Sequence, residues 1–315
     1  MRASKMPECP KAIDVLLDGF VDYAGLFPPA SEDMRPALES YASYLQSSDG
    51  KALGRFIVPL RRLKELEDAG AGLFPRAPDS EPWRLSVLVA DDVHAAGEEI
   101  RRFNLRHASA SKGGRAVVDV AELKASTAAE IESQRAELPA PSTVYFEIPT
   151  KGDISALVKA LARGSSRAKI RTGGVTPEAF PPAVEIINFI TTCRRERVPF
   201  KATAGLHHPI RGTYRLTYEP ESPPGKMYGF LNVFIAATLV YAGESEDNAL
   251  AVLREEDPLA FSFSDDAIVW RDKRVDAEQI RASRANFAIS FGSCSFREPV
   301  DEIESLARAV RLKNQ

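Results

Sequence analysis

Several features that mark particular classes of protein are scarce in this chain of 315 residues. It has only three cysteines, Cys9, Cys193 and Cys294, which are widely spaced and odd in number. This argues against a disulfide framework and fits a reducing compartment. Neither sign of charge is in large excess, because the net charge is −3. Bulk electrostatics therefore give no reason to expect binding to nucleic acid or to an anionic membrane.

Long hydrophobic runs are also missing. The longest apolar stretch, residues 229–243, is interrupted and shorter than the roughly 20 apolar residues that span a bilayer, so we interpret it as a buried helix. The first twenty residues lack the long apolar segment and small-residue cleavage site of a signal peptide. We therefore expect no signal peptide, no membrane segment and a cytoplasmic location.

What the sequence does contain is a regular alternation of short apolar runs and helical segments. Strands are predicted at 19–24, 54–60, 84–90, 115–121, 143–148, 169–172, 200–204 and 288–291. Helices are predicted at 31–46, 61–69, 95–103, 128–136, 154–163, 183–196, 231–242 and 300–312. Eight such units predict a (β/α)8 TIM barrel in a single domain, 1–315. Residues 206–276 form an extended excursion between strands seven and eight, expected over the barrel mouth. An open doubly wound sheet is the alternative, but no Gly-rich turn follows the first strand.

Three of these strands carry charges at alternate positions. Glu147, Lys169, Arg171 and Lys201 occupy odd-numbered positions, and aliphatic residues occupy the even ones. Successive side chains of a strand point to opposite faces. In a parallel sheet covered by helices, the charged face is expected inside the barrel, near the strand ends where barrel enzymes have their active sites. The pattern predicts an interior with three cations and one carboxylate.

Lys169 and Lys201 lie on adjacent strands, so their amines are expected to be close neighbours. A cationic neighbour and a dry surrounding both lower the pKa of an amine, and a neutral lysine can form a Schiff base with a carbonyl compound. Arg171 is suited to holding a carboxylate or phosphate, and Glu147 to transferring protons. The alternative is a purely structural ion pair in which Glu147 neutralises one lysine.

Further candidates follow strands seven and eight. In 204–211, His207 or His208 is suited to act as a general base or, with a carboxylate, as a metal ligand, although one ring could simply pack. The small residues of 290–296 expose N–H groups and hydroxyls that suit an anion site. Cys294, within them, is either a nucleophile or, as lone cysteines more often are, inert. Acidic residues near other strand ends are proton-shuttle or helix-cap candidates: Asp22, Asp91, Asp92, Asp119 and Glu122.

Three motifs resemble those of class I aldolases of the deoxyribose-phosphate aldolase type. The motifs are Lys169-Ile170-Arg171-Thr172-Gly173-Gly174, Lys201-Ala202-Thr203-Ala204-Gly205 and Phe291-Gly292-Ser293-Cys294-Ser295. The resemblance implies that Lys169 is the Schiff-base nucleophile, that Lys201 perturbs its pKa, and that Gly292 and Ser293 bind phosphate. It also implies Asp91 as a proton-relay residue.

These observations predict a lyase that acts through a lysine Schiff base on a small anionic carbonyl compound, without a cofactor and with a homo-oligomer as an option. The predicted catalytic residues are Lys169, Lys201, Glu147, Asp91 and His207. The predicted substrate-binding residues are Arg171, Thr172, Gly173, Thr203, His208, Arg211, Gly292 and Ser293. One alternative is a divalent-metal lyase, isomerase or hydrolase with ligands from Glu147, Asp119, His207 and His208, in which Lys169, Arg171 and Lys201 hold the substrate. Another is a non-catalytic barrel that binds an anionic metabolite.

Overall fold

A computed structural model describes residues 9–77, 79–90, 92–109, 113–138, 141 and 143–313. Its strands are β1 (Val21–Tyr23), β2 (Leu53–Pro59), β3 (Trp83–Leu88), β4 (Ala116–Lys124), β5 (Thr143–Glu147), β6 (Arg167–Arg171), β7 (Phe200–Thr203), β8 (Gly212–Arg215), β9 (Pro224–Met227), β10 (Phe261–Phe263), β11 (Ala267–Trp270), β12 (Lys273–Asp276) and β13 (Ala288–Ser293). Its α-helices are α1 (Lys11–Leu17), α2 (Met34–Gln46), α3 (Leu63–Ala69), α4 (Val93–His107), α5 (Ala128–Glu137), α6 (Ser155–Arg163), α7 (Ala183–Arg195), α8 (Phe230–Ala242), α9 (Glu246–Arg254), α10 (Ala277–Asn286) and α11 (Arg297–Lys313).

Eight strands close into a parallel barrel. Their order around it is β1-β13-β7-β6-β5-β4-β3-β2, so β13 is the eighth barrel strand and closes against β1. Helices alternate with these strands along the chain, and apolar side chains fill the space between the two layers. The predicted (β/α)8 TIM barrel is therefore confirmed.

The predicted strands agree with the barrel strands within a few residues, but the helix starts and the excursion differ. The helix predicted from Ser31 begins at Met34, and Ser31 itself has a positive φ of 48°. Between β7 and β13 the chain forms a β8–β9 hairpin, α8, α9, a three-stranded sheet of β10–β12, and α10. That sheet lies against α1, α8 and α11, whereas the hairpin is the part that extends toward the barrel mouth.

The long apolar stretch forms α8, whose residues from Phe230 to Val240 are all buried. One polar residue, Asn232, is fully buried among them. Its amide donates to the carbonyls of Val252 (2.7 Å) and Glu255 (2.9 Å) and accepts from the N–H of Arg211 (2.8 Å). The interpretation as a buried helix is borne out. Within the described residues, no helix has the length and apolar character needed to cross a membrane.

Candidate active site

A cavity of about 280 Å³ opens at the carboxyl ends of the barrel strands. Its wall includes Arg171, Thr203 and Ser293, which are the last residues of β6, β7 and β13. The other lining residues are Ala24, Phe27, Pro28, Pro29, Ile57, Leu88, Glu122, Lys169, Gly174, Val175, Ala204, Gly205, His207, Leu216, Gly292 and Cys294. This is the end of the barrel at which TIM-barrel enzymes carry their active sites.

Lys169 lies in the floor of this cavity. It is paired in register with Glu147 of β5 on one side and with Lys201 of β7 on the other. Its Nζ is 2.7 Å from Glu122 Oε2 and 3.0 Å from Glu147 Oε2, and only 5 % of the residue is exposed. The amine therefore borders the cavity and contacts two carboxylates, of which Glu122 also lines the cavity.

Lys201 lies deeper in the barrel and is not part of the cavity wall. Its Nζ is 2.6 Å from Asp22 Oδ2 and 2.7 Å from Glu122 Oε1. Burial alone would lower the pKa of Lys201, but the carboxylates of Asp22 and Glu122 outweigh it and raise the pKa above its ordinary value. These contacts therefore favour the charged form of Lys201, on the strand next to Lys169.

Glu122 joins the two lysines, because each of its carboxylate oxygens faces one of them. The hydroxyl of Ser86 also donates to its Oε1 at 2.7 Å. Burial alone would raise the pKa of Glu122, but the charges of Lys169 and Lys201 hold it well below its usual range. Hydrogen bonds also hold the carboxylate of Asp22, which accepts from Ser290 Oγ (2.9 Å) and from the backbone N–H of Arg55 (2.8 Å).

The predicted charge excess of the interior is wrong. Asp22, Glu122 and Glu147 supply three carboxylates against the cations of Lys169, Lys201 and Arg171, so these six side chains balance. The sequence pattern marks Asp22 and Glu122 only as acids near strand ends. The register of β4 shifts between its pairings with Leu85 and Ser86. This irregularity puts Asp119 and Glu122 on the same inner face, although strict alternation would separate them.

The rim of the cavity carries Arg171 beside Glu147. Arg171 Nε donates to Glu147 Oε1 at 3.1 Å, and 47 % of the Arg171 side chain is exposed. Burial alone would raise the pKa of Glu147, but Lys169 and Arg171 lower it. Arg171 keeps unoccupied donor positions toward solvent and the cavity, which is the geometry that carboxylates and phosphates need.

The predicted substrate-binding residues divide into two groups. Arg171, Thr203, Gly292 and Ser293 line the cavity. Four others do not, each for a local reason. Thr172 is buried and donates to the carbonyl of Ala204 at 2.7 Å, and a Cβ on Gly173 would come within 2.4 Å of the Phe180 ring. His208 stacks on the Tyr214 ring and contacts Glu302, and Arg211 pairs with Glu256.

The acids proposed for metal binding or proton relay are placed differently from expectation. Asp119 lies toward the amino ends of the strands, where Arg55 (2.7 Å) and Arg84 (2.6 Å) hold it. Asp119 is therefore remote from the cavity. In the described part of the chain, no set of three or more His, Cys, Asp or Glu residues is arranged to hold a metal ion. Asp92 caps α4 by accepting from the Ala95 N–H, and Asp91 lies outside the described residues.

His207 reaches the cavity wall, where its ring contacts Glu298 and Cys294.

Comparison of the chain with models of protein families, with curated proteins and with solved structures gave no significant match. The class I aldolase resemblance therefore stays a prediction. The barrel itself is a fold that commonly belongs to enzymes, and the charged cavity lies where such enzymes act.

Proposed function

We propose that this protein is a lyase of the aldolase kind, which binds a small anionic carbonyl compound through a Schiff base on Lys169. The observation that carries the proposal is the position of this amine. It borders a small cavity, has carboxylates of Glu122 and Glu147 within 3.0 Å, and lies on the strand next to Lys201, whose charged form is favoured. A nucleophilic amine with adjacent proton acceptors is what imine chemistry requires.

The two carboxylates give the reaction a proton path. Attack on a carbonyl needs the neutral amine, and Glu147, which is 3.0 Å from the amine and does not contact Lys201, is placed to accept the ammonium proton. Removal of a proton from the carbon beside a protonated imine yields a neutral enamine. At that stage the positive charge on Lys169 has disappeared, so the adjacent carboxylates become more basic and can hold the proton.

We assign the binding of the anionic group of the substrate to the rim of the cavity. In the floor, the three carboxylates of Asp22, Glu122 and Glu147 exceed the cations of Lys169 and Lys201 by one charge, so a further anion there would be repelled. Arg171 is half exposed at the cavity edge and is suited to a carboxylate or phosphate, and Gly292 and Ser293 supply the facing wall. A Cβ at Gly292 would lie 3.2 Å from Ile57 Cδ1, so glycine keeps this part of the wall open.

Reductive trapping tests the proposal. The protein is incubated with borohydride and a panel of small carbonyl compounds that carry a carboxylate or phosphate, and its intact mass is measured. We expect a single adduct that is lost in Lys169→Met. The matched control is Lys159→Met, an exposed lysine on α6, which should retain the adduct.

Two outcomes would contradict the proposal. One is the absence of an adduct with every compound of the panel, and the other is an adduct that persists in Lys169→Met. Thermal stabilisation by a ligand that disappears in Arg171→Ala, without an adduct or turnover, would instead favour the non-catalytic binding barrel. Turnover that is lost on chelation would favour the metal-dependent alternative.

A further inference from the structure

Four side chains that the proposed Schiff-base chemistry does not use form a second cluster at the same cavity. Cys294 follows β13, His207 follows β7, Tyr218 lies in the β8–β9 hairpin, and Glu298 is in the first turn of α11. Cys294 and His207 are both cavity-lining, with 5 % and 8 % of each residue exposed. We call these residues the thiol cluster.

The contacts within the thiol cluster are those of a nucleophile, a base and a group that orients the base. Cys294 Sγ is 3.9 Å from His207 Nε2, and His207 Nδ1 is 2.9 Å from Glu298 Oε2. Tyr218 donates to the same Glu298 oxygen at 2.8 Å, and its hydroxyl is 3.6 Å from Cys294 Sγ. Each ring nitrogen of His207 therefore has one defined partner, which fixes the ring toward the sulfur.

Electrostatics favour a charged His207. Burial alone would lower the pKa of His207, but its contacts with Cys294 and Glu298 outweigh burial and raise the pKa to about 10. The titratable groups that face this ring are Cys294, Glu298, Tyr218 and His208. An imidazolium at neutral pH places a positive N–H beside the sulfur, and a cation in that position stabilises a thiolate.

We propose that Cys294 is a second nucleophile of the cavity, activated by His207, and that it takes up small aldehydes as thiohemiacetals. The reactive form is the ion pair in which His207 Nε2 already holds the proton and the sulfur is a thiolate. The sulfur then forms a bond to the carbonyl carbon, the π electrons of the C=O bond move to oxygen, and that oxygen takes the proton from His207. The step is reversible and needs no oxidant, reductant or further reactant.

The aldehyde assignment rests on the proposed function, because a lyase that cleaves a carbon–carbon bond next to a hydroxyl releases an aldehyde. The activation of Cys294 does not rest on it. The other two cysteines serve as internal references. Burial, with nearby acids, raises the pKa of Cys9 to about 12, and complete burial raises that of Cys193 further, so both remain unreactive thiols.

Alkylation by iodoacetamide tests the activation. Sulfur displaces iodide, and the rate is followed by intact mass and peptide mapping. We expect one fast adduct, and the rate of alkylation should be much higher at Cys294 than at Cys9 or Cys193. His207→Gln should slow it about tenfold at pH 6.5 and make it rise with pH, as for an ordinary thiol. Glu298→Gln should have a smaller effect in the same direction, since Glu298 only positions the ring.

Aldehyde uptake is measured in Lys169→Met, so that no Schiff base at that position contributes. Glyceraldehyde should protect Cys294 from iodoacetamide in this variant, and washing it out should restore reactivity. Equal rates for Cys294, Cys9 and Cys193, or a rate unchanged in His207→Gln, would overturn the activation. Fast alkylation without protection would overturn the aldehyde assignment. Borohydride trapping in Cys294→Ser tests Lys169 separately, so the two proposals fail independently.

Discussion

At the scale of single residues, the main feature is the charged amine of Lys201, which is buried inside the barrel. Only 1 % of Lys201 is exposed, and its amine contacts Asp22 and Glu122 and lies 5.6 Å from the centre of the Tyr145 ring. Removing a charge from water costs several kcal/mol, which close carboxylates must offset. The stability of the protein should therefore be sensitive to the loss of either Lys201 or Asp22.

Lys201→Met should lower the free energy of unfolding by about 3–5 kcal/mol, because Asp22 loses its cation while it stays buried. The double variant Lys201→Met/Asp22→Asn should recover part of this loss, about 1–3 kcal/mol, since no unpaired charge then remains on that side. Urea unfolding of the four proteins of the cycle measures the coupling. Strictly additive effects would show that the two side chains do not interact.

At the scale of elements, what the sequence could predict depended on the length and regularity of each one. The barrel strands have apolar runs bounded by helices, and period-two alternation correctly placed Lys169, Arg171 and Lys201 on one face, although only Arg171 ends its strand. The short strands β8–β12 have three or four residues each, too few for a period to be visible. Asp22 lies in a strand of three residues, and Glu122 follows a register shift, so neither could be placed by counting.

The apolar helix α8 offers a test of how polar contacts fix an element. Asn232→Leu keeps the branching and the number of side-chain heavy atoms but leaves Arg211 N–H and the carbonyls of Val252 and Glu255 without their partner. We expect a loss of about 3 kcal/mol or more in the free energy of unfolding. Thr238→Val is the matched control on the same helix. Thr238 bonds only the carbonyl four residues earlier, so its loss should stay below about 1 kcal/mol. Similar losses for both variants would contradict this account.

At the scale of the whole molecule, ion pairs link strands from all around the barrel. Arg55, Arg84 and Asp119 connect β2, β3 and β4 toward the amino ends, and the lysine network connects β1, β4, β5, β6 and β7 above them. The closed interior therefore depends on ionised carboxylates. This dependence followed from the fold and could not be inferred from any one strand of the sequence.

Stability should consequently fall in acid. The pKa values of Glu122, Glu147 and Asp119 are lowered in the folded protein, in each case because cations outweigh the opposing effect of burial. A lowered folded pKa contributes stability above the ordinary carboxyl value, about 4, and this contribution is lost as the pH falls toward the folded values. Urea unfolding between pH 7 and pH 3 should show a midpoint that drops steeply below pH 5, with net uptake of protons. A midpoint independent of pH would contradict the role of the buried carboxylates.

The position of Arg171 at the entrance has a consequence for how an anion would bind. Without Arg171, the two lysines and three carboxylates below it sum to −1, so discrimination between anionic and uncharged compounds falls to Arg171. Selectivity for charge and reactivity toward the carbonyl group would thus reside at different depths.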